Sequence, residues 1–202
     1  MANRSSKKSS NRNHAKKQTG KPVDQVKNFP IWLYAVAGIL VAAMVVGLAA
    51  FLPSMNGGIR GVREYRNLER GHTTLEVTYD PIPPVGGKHN ELPQNCGVYT
   101  EPIQNENAVH SLEHGAVWIT YQPDLPADEV QALQTLTRAS GYRLLSPYPG
   151  IDSPIIVSAW GYQLKLKKAD DSRLIKFLQK YEQSPLSPEP GALCNGGVGE
   201  PQ

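Results

Sequence analysis

The chain has 202 residues, which is enough for one ordinary domain with attachments, and its net charge is +3. Residues 1–52 contain eight Lys or Arg residues and one Asp, whereas residues 53–202 contain 13 basic and 17 acidic residues. The body of the protein therefore has no basic stripe suited to phosphate groups, and nucleic-acid binding is not expected.

The N-terminal region is predicted to be a basic tail followed by a membrane anchor. Residues 1–28 contain too little apolar material to fold and should form a disordered cytoplasmic tail. Residues 29–53 include an uncharged stretch, 31–52, that would rise about 33 Å as a helix, enough to cross the lipid bilayer. The cations precede this stretch, so the positive-inside rule predicts a single-pass protein of the cell membrane, with the C-terminal part outside. A cleaved signal peptide is the alternative, but its apolar segment is normally about 7–15 residues long.

The rest of the chain is predicted to contain one folded domain. Residues 54–61 should form a flexible stalk, residues 62–183 an extracytoplasmic domain, and residues 184–202 an irregular tail rich in Pro and Gly. Alternating and β-branched residues predict strands at 74–79, 116–121, 142–145 and 155–160. Residues 81–102, dense in Pro, Gly and Asn, should form a long loop.

Three segments have the pattern of helices. A short helix is predicted at residues 107–114, a second from Asp124 or Pro126 to Ser140, and a third at residues 171–181. The second and third are amphipathic, so each can cover a sheet while its outer side stays wet. The predicted fold is α+β, a small mixed sheet covered by two amphipathic helices and preceded by one transmembrane helix.

Cys96 lies in the long loop and Cys194 in the C-terminal tail. Outside the cytoplasm, two thiols are expected to pair, and the disulfide would stabilise the domain by up to ~4.7 kcal/mol in the chain-entropy model. A metal thiolate is the competing interpretation. The spacing contains no CxxC motif, which disfavours a dithiol oxidoreductase.

Four of the five histidines lie close together in the sequence, at positions 72, 89, 110 and 114. His110 and His114 are four residues apart on the predicted short helix and share a face, with Glu113 near them. Imidazole is a good ligand for transition metals. The predicted ligands are therefore His89, His110 and His114, with His72 and Glu113 as further candidates, and zinc or copper as the ion. A structural role stays open, in which His110 and Glu113 pair or cap backbone groups.

Several segments resemble the bacterial Domain of Unknown Function 3105 family. They are GHTTLEVTYDPIPPVGGKHNELPQNCGVYTEPI, VHSLEHGAVWITYQP and SAWGYQL, followed by a late cysteine, and VHSLEHG is the most specific of them. The resemblance covers about residues 63–194. It implies an external domain held by one N-terminal span and places the four histidines inside the family's motif segments. It implies no reaction.

Three functions are compatible with these features, and they leave open whether the protein is an enzyme. The first is a domain that binds a transition metal through its histidines, including a small hydrolase. The second is a non-enzymatic envelope module that binds a partner protein or helps to assemble a membrane complex. The third, a glycan enzyme, would need paired carboxylates, for which Glu101, Glu106 and Glu113 are candidates by location.

Overall fold

Two compact units divide the chain, residues 1–55 and residues 56–202. The computed structural model describes residues 58–202 and, before them, Pro30, Trp32, Ala35, Val36, Gly38, Leu40, Val41 and Met44. The predicted basic tail, most of the predicted anchor and residues 54–57 of the predicted stalk lie outside the described residues. Those described between positions 32 and 44 are helical and exposed. Within the described part of the chain, no helix has the length and apolar character to span a bilayer, and the anchor stays a prediction.

A six-stranded sheet forms the centre of the second unit. Its strands are β1 (Arg63–Glu64), β2 (Gly97–Val98), β3 (Val117–Tyr121), β4 (Arg143–Pro147), β5 (Ile155–Ala159) and β6 (Tyr162–Leu166). Their spatial order is β1-β6-β5-β3-β4-β2. The pairs β2–β4 and β3–β4 are parallel, whereas β3–β5, β5–β6 and β1–β6 are antiparallel. The predicted α+β class with a mixed sheet is confirmed.

Helices cover both faces of this sheet. On one face lie α2 (Ala127–Arg138) and α3 (Ser172–Tyr181), and on the other lies α1 (Asn105–Glu113). The helix α3 begins where the Asp171 carboxylate accepts the backbone N–H of Arg173, and it buries Leu174, Phe177 and Leu178 at helical spacing. Each such side chain, fully buried, contributes roughly 1.5–3 kcal/mol.

The short helix α1 has a larger role than predicted, because it closes the second face of the sheet. Its residues Ala108, Val109 and Leu112 are fully buried and pack in one cluster with Trp118 of β3 and Leu144 of β4. A sheet covered on both faces has strands that are apolar throughout, and all five residues of β3 are buried. The domain therefore has three covering helices, where two were predicted.

One strand prediction was wrong, and one strand was missed. Residues 74–79 do not form a strand, although Val77 and Tyr79 do turn inward. Their backbone has no neighbouring strand, and the N–H of Val77 instead donates to the Glu106 carboxylate at 3.0 Å. Conversely, β6 was not predicted, although its alternating apolar residues fit a strand. It forms a hairpin with β5 through Gly161, whose φ of +75° suits a tight turn.

Two residues near the predicted boundary between stalk and domain contact the core. Ile59 and Val62 pack against the core cluster that α2 and α3 cover, and the backbone carbonyl of Arg60 accepts a hydrogen bond from Arg173. Part of the predicted stalk is therefore packed onto the domain.

Candidate metal centre

The helix α1 positions three of the predicted site residues. His110, Glu113 and His114 stand three and four residues apart, so they leave the same side of α1. Their neighbours Val109 and Leu112 anchor the helix to the sheet, and the chain turns away at Gly115, with φ of +93°. All three side chains are buried, with 6%, 6% and 8% of their surface exposed.

The long loop and the segment before it supply the other two histidines. His72 and His89 form an isolated parallel bridge, in which the N–H of Thr73 donates to the His89 carbonyl at 2.7 Å. The His89 side chain is fully buried, whereas His72 is exposed. A cleft of about 520 Å³, lined by Thr73, Thr74 and Glu91, opens beside His72. The cluster therefore has one accessible member.

Three imidazoles form a nearly equilateral triangle. Their ring centres are 5.1 Å apart for His72–His89, 5.0 Å for His72–His110 and 4.9 Å for His89–His110. Imidazoles bound tetrahedrally to one ion at the usual ~2.0–2.1 Å have ring centres about 5 Å apart. One ligand atom from each of these histidines and one oxygen of Glu113 lie within 4.8 Å of one another. Ligand atoms bound to one tetrahedral ion at these bond lengths are about 3.4 Å apart, so the side chains would have to move together to bind an ion.

Hydrogen bonds fix the tautomer of three of the histidines. In His89, His110 and His114, Nδ1 lies 2.7–2.8 Å from a backbone carbonyl oxygen, belonging to Gly87, Asn90 and Leu193 respectively. A carbonyl only accepts, so each Nδ1 carries the proton, and in a neutral ring Nε2 then has a free lone pair. Histidines that bind metals in proteins are usually oriented in this way.

The Nε2 atoms of His89, His110 and His114 face other acceptor atoms and not hydrogen-bond donors. His89 Nε2 is buried and has no hydrogen-bond partner among the described residues, although Glu113 Oε2 is 2.9 Å away. His110 Nε2 and His114 Nε2 are also 2.9 Å apart. Acceptor atoms this close need a proton or a cation between them, and an unsatisfied buried polar atom costs roughly 1–3 kcal/mol. A cation in the cluster would remove this cost.

Burial also keeps His110 in the form that binds metals. Desolvation lowers its pKa from 6.5 to about 4, opposed by the hydrogen bond to Asn90 and reinforced by the neighbouring imidazoles of His114, His89 and His72. His110 is therefore neutral at pH 7, and a metal ion does not have to displace a proton from it.

The structure groups the predicted site residues differently from the sequence spacing. His72, which was a further candidate, lies in the compact group with His89, His110 and Glu113. His114, predicted as a main ligand, lies beside this group and contacts it through His110. Its Nε2 is also 3.9 Å from Oε2 of Glu189, a residue that sequence analysis missed because it lies in the irregular tail with no local pattern.

In the structural alternative, His110 and Glu113 pair or cap backbone groups. Among the described residues Glu113 approaches His89 and not His110, whereas His110 does bond to a backbone carbonyl, that of Asn90. The other two carboxylates considered for a glycan enzyme lie outside the group. Glu106 accepts the backbone N–H of Val77, and Glu101 lines a separate cleft.

A disulfide joins Cys96 to Cys194, with their Cα atoms 5.4 Å apart, as the pairing interpretation expected. It links the long loop to the C-terminal tail. The backbone N–H of Cys96 also donates to the Cys194 carbonyl at 2.8 Å. The tail is irregular, as predicted, but it is tied to the domain next to the histidines.

Comparison with known proteins identifies one related family. The family described as "Protein of unknown function (DUF3105)" matches residues 71–196, well over half of the chain. The matched range includes the four clustered histidines, Glu113 and both cysteines. No curated protein and no solved structure matched the chain.

Proposed function

The chain belongs to the DUF3105 family, and we propose that its domain binds one transition-metal ion between His72, His89, His110 and Glu113. The observation that carries this proposal is His89 Nε2, which is fully buried, lacks a hydrogen-bond partner among the described residues and lies 2.9 Å from the carboxylate of Glu113. The Nδ1–H of the same ring donates to a carbonyl, so its free lone pair is directed into the cluster.

The donor set favours zinc, with copper as the competitor. Three imidazole nitrogens and one carboxylate oxygen suit these ions, whereas calcium and magnesium prefer oxygen ligands throughout. Four ligands of this kind around a tetrahedral ion are typical of zinc. His72 is the exposed ligand, so water or a substrate would reach the ion from its side.

Metal analysis of the full chain tests this proposal. The protein is purified in mild detergent, stripped with a chelator, reloaded with zinc or copper and desalted. About one ion per chain is expected, with loss of binding in His89→Gln. His14→Gln is the matched control, because His14 is more than 50 positions before the other four histidines in the sequence. Fewer than ~0.2 ions per chain, or equal loading of both variants, would instead support an envelope module with structural histidines.

We also propose that residues 31–52 anchor the protein in the cell membrane and place the domain outside. The proposal is supported by the uncharged stretch, by the cations before it and by a disulfide of the kind that persists in oxidising compartments. A protease added to intact spheroplasts should remove an epitope tag placed after Gln202 and leave one before Met1. The reverse pattern, or two protected tags, would refute this topology.

A further inference from the structure

We infer that the Cys96–Cys194 disulfide controls the metal site, so that a dithiol reductant that opens it weakens metal binding. This inference rests on the proposed metal-binding function. It is carried by the position of the disulfide, which joins two segments that both hydrogen-bond to residues of α1 or to His114 at its C-terminal end.

The first of these segments leads to Cys96, and residues 90–96 are here called the loop arm. The carbonyl of Asn90 accepts the Nδ1–H of His110 at 2.7 Å. Four residues further, the carbonyl of Gln94 accepts the hydroxyl of Ser111 at 2.6 Å. The Asn107 amide donates to the Leu92 carbonyl, also at 2.6 Å. The loop arm therefore lies along α1 and orients His110.

The second segment leads to Cys194, and residues 189–194 are here called the tail arm. The N–H of Glu189 donates to the backbone carbonyl of Glu113 at 3.0 Å, and the N–H of Gly191 donates to that of His114 at 3.3 Å. The carbonyl of Leu193, directly before Cys194, accepts the Nδ1–H of His114 at 2.8 Å. The tail arm therefore holds the C-terminal end of α1 and orients His114.

The disulfide thus links the acceptors that orient two neighbouring imidazoles. His110 takes its acceptor from the loop arm and His114 from the tail arm, and their Nε2 atoms meet at 2.9 Å. Without the covalent link, both carbonyls gain freedom and the rings lose their fixed orientation. Loss of such outer contacts typically lowers metal affinity by about 10–100-fold.

The chemistry is a two-electron thiol–disulfide exchange. A thiolate of the dithiol attacks one sulfur of the protein disulfide and forms a mixed disulfide with it, while the other protein sulfur leaves as a thiolate and takes up a proton. The second thiol of the reductant then attacks the mixed disulfide and releases the remaining protein sulfur, which also takes up a proton. The products are two protein thiols and the oxidised dithiol, and a zinc ion would keep its charge throughout. Cys96 is only half-buried, whereas Cys194 is 4% exposed.

The tail would stay near the loop after reduction. The N–H of Val198 donates to the Pro93 carbonyl at 2.9 Å, and the N–H of Asn95 donates to the Val198 carbonyl at 2.8 Å. These contacts lie beyond Cys194, so they keep the two thiols close enough to pair again. We therefore expect the loss of affinity to be reversible on oxidation.

The experiment compares zinc affinities of the full chain in mild detergent, measured by competition with a chromophoric chelator. The oxidised protein is compared with Cys96→Ser/Cys194→Ser, in which no new thiol can bind zinc. The dissociation constant should rise about 10–100-fold in the double variant. Leu133→Ala is the control for lost stability. It empties a buried site on the other face of the sheet and should leave zinc affinity unchanged.

If the double variant does not fold, a second measurement on the unsubstituted protein tests the same inference. Zinc release from the oxidised protein is followed after addition of a phosphine reductant, which does not bind the ion through thiols, and release should accompany reduction. Equal affinity with and without the disulfide, or reduction without release, would overturn the redox inference and leave the metal site standing. No zinc binding by the oxidised protein would instead overturn the proposed function itself.

Discussion

The substitution Glu113→Gln distinguishes a metal site from a structural ion pair, because the two interpretations predict changes of opposite sign in the stability of the metal-free protein. The replacement keeps the shape of the side chain and removes its charge. Glu113 Oε2 lies 2.9 Å from His89 Nε2, and both side chains are buried. The backbone carbonyl of Glu113, which accepts the N–H of Glu189, is unaffected. The comparison therefore isolates one charge beside one ring nitrogen.

The expected size of the effect follows from the protonation state of His89. If the ring is neutral, the new amide can donate to Nε2 and satisfy it. The metal-free protein should then gain about 1 kcal/mol in the free energy of unfolding, or roughly 2–4 °C in Tm for a domain of this size. If His89 is instead an imidazolium paired with Glu113, the substitution leaves a buried charge uncompensated and costs roughly 3–5 kcal/mol.

Zinc should reverse the order of the two proteins. The variant lacks the anionic ligand, and each tenfold loss of affinity removes about 1.4 kcal/mol from the stabilisation by excess ion. Wild type should therefore be the more stable protein with zinc, and Glu113→Gln the more stable one with chelator.

Thermal denaturation of the full chain in detergent measures both conditions, using the fluorescence of the buried Trp118 and Trp160. Glu101→Gln, at a separate exposed cleft, serves as the matched control and should change neither midpoint. A Tm more than about 6 °C below wild type in chelator would refute the reasoning and favour the ion pair.

Three further predictions concern pH and the scaffold. Because the folded-state pKa of His110, about 4, lies below its ordinary 6.5, the unfolded chain takes up the proton first. The Tm of the metal-free protein should therefore fall as the pH drops from about 6.5 towards 4, and an equally steep fall in His110→Gln would contradict this cause. Arg143→Ala should cost about 1.5–3 kcal/mol in urea denaturation, since Arg143 Nε donates to the Glu182 carboxylate at 2.7 Å. Trp118→Phe should lower the free energy of unfolding by about 1 kcal/mol beyond the loss of packing, because the Ser146 hydroxyl loses the hydrogen bond that the indole N–H donates at 3.0 Å. If this bond is the reason, the double variant Trp118→Phe/Ser146→Ala should lose much less stability.

Local patterns in the sequence predicted much of the fold. The helix predicted at 171–181 became α3, the strand at 116–121 became β3, and the short helix at 107–114 became α1 with slightly different ends. The two helices repeat their apolar residues at helical spacing, and β3 is a short run of apolar and β-branched residues, so neighbours along the chain carry the information. The two-residue strands β1 and β2 carry no such pattern, and only their pairing with β6 and β4 defines them.

Part of the candidate site was likewise predictable from local sequence, and part was not. The nearness of His110, Glu113 and His114 follows from helical spacing, and sequence analysis found it. Nothing in the spacing of His72 and His89 indicates that they would form a bridge and complete a triangle with His110. The contacts of His114 with Glu189 and Leu193 were not predictable either, because both residues lie in a tail about 75 residues further along.

The sequence by itself determined the elements whose periodicity is local, the charge asymmetry that predicts an anchor, and the residue types from which a metal site can be built. Only the tertiary structure decided which of those residues meet, which ring nitrogen of each histidine is left free, and that a disulfide joins the two arms around α1. The physical reason is that these contacts join segments far apart in the chain. Their geometry depends on how helices and loops pack onto the sheet, and no short stretch of sequence encodes that packing.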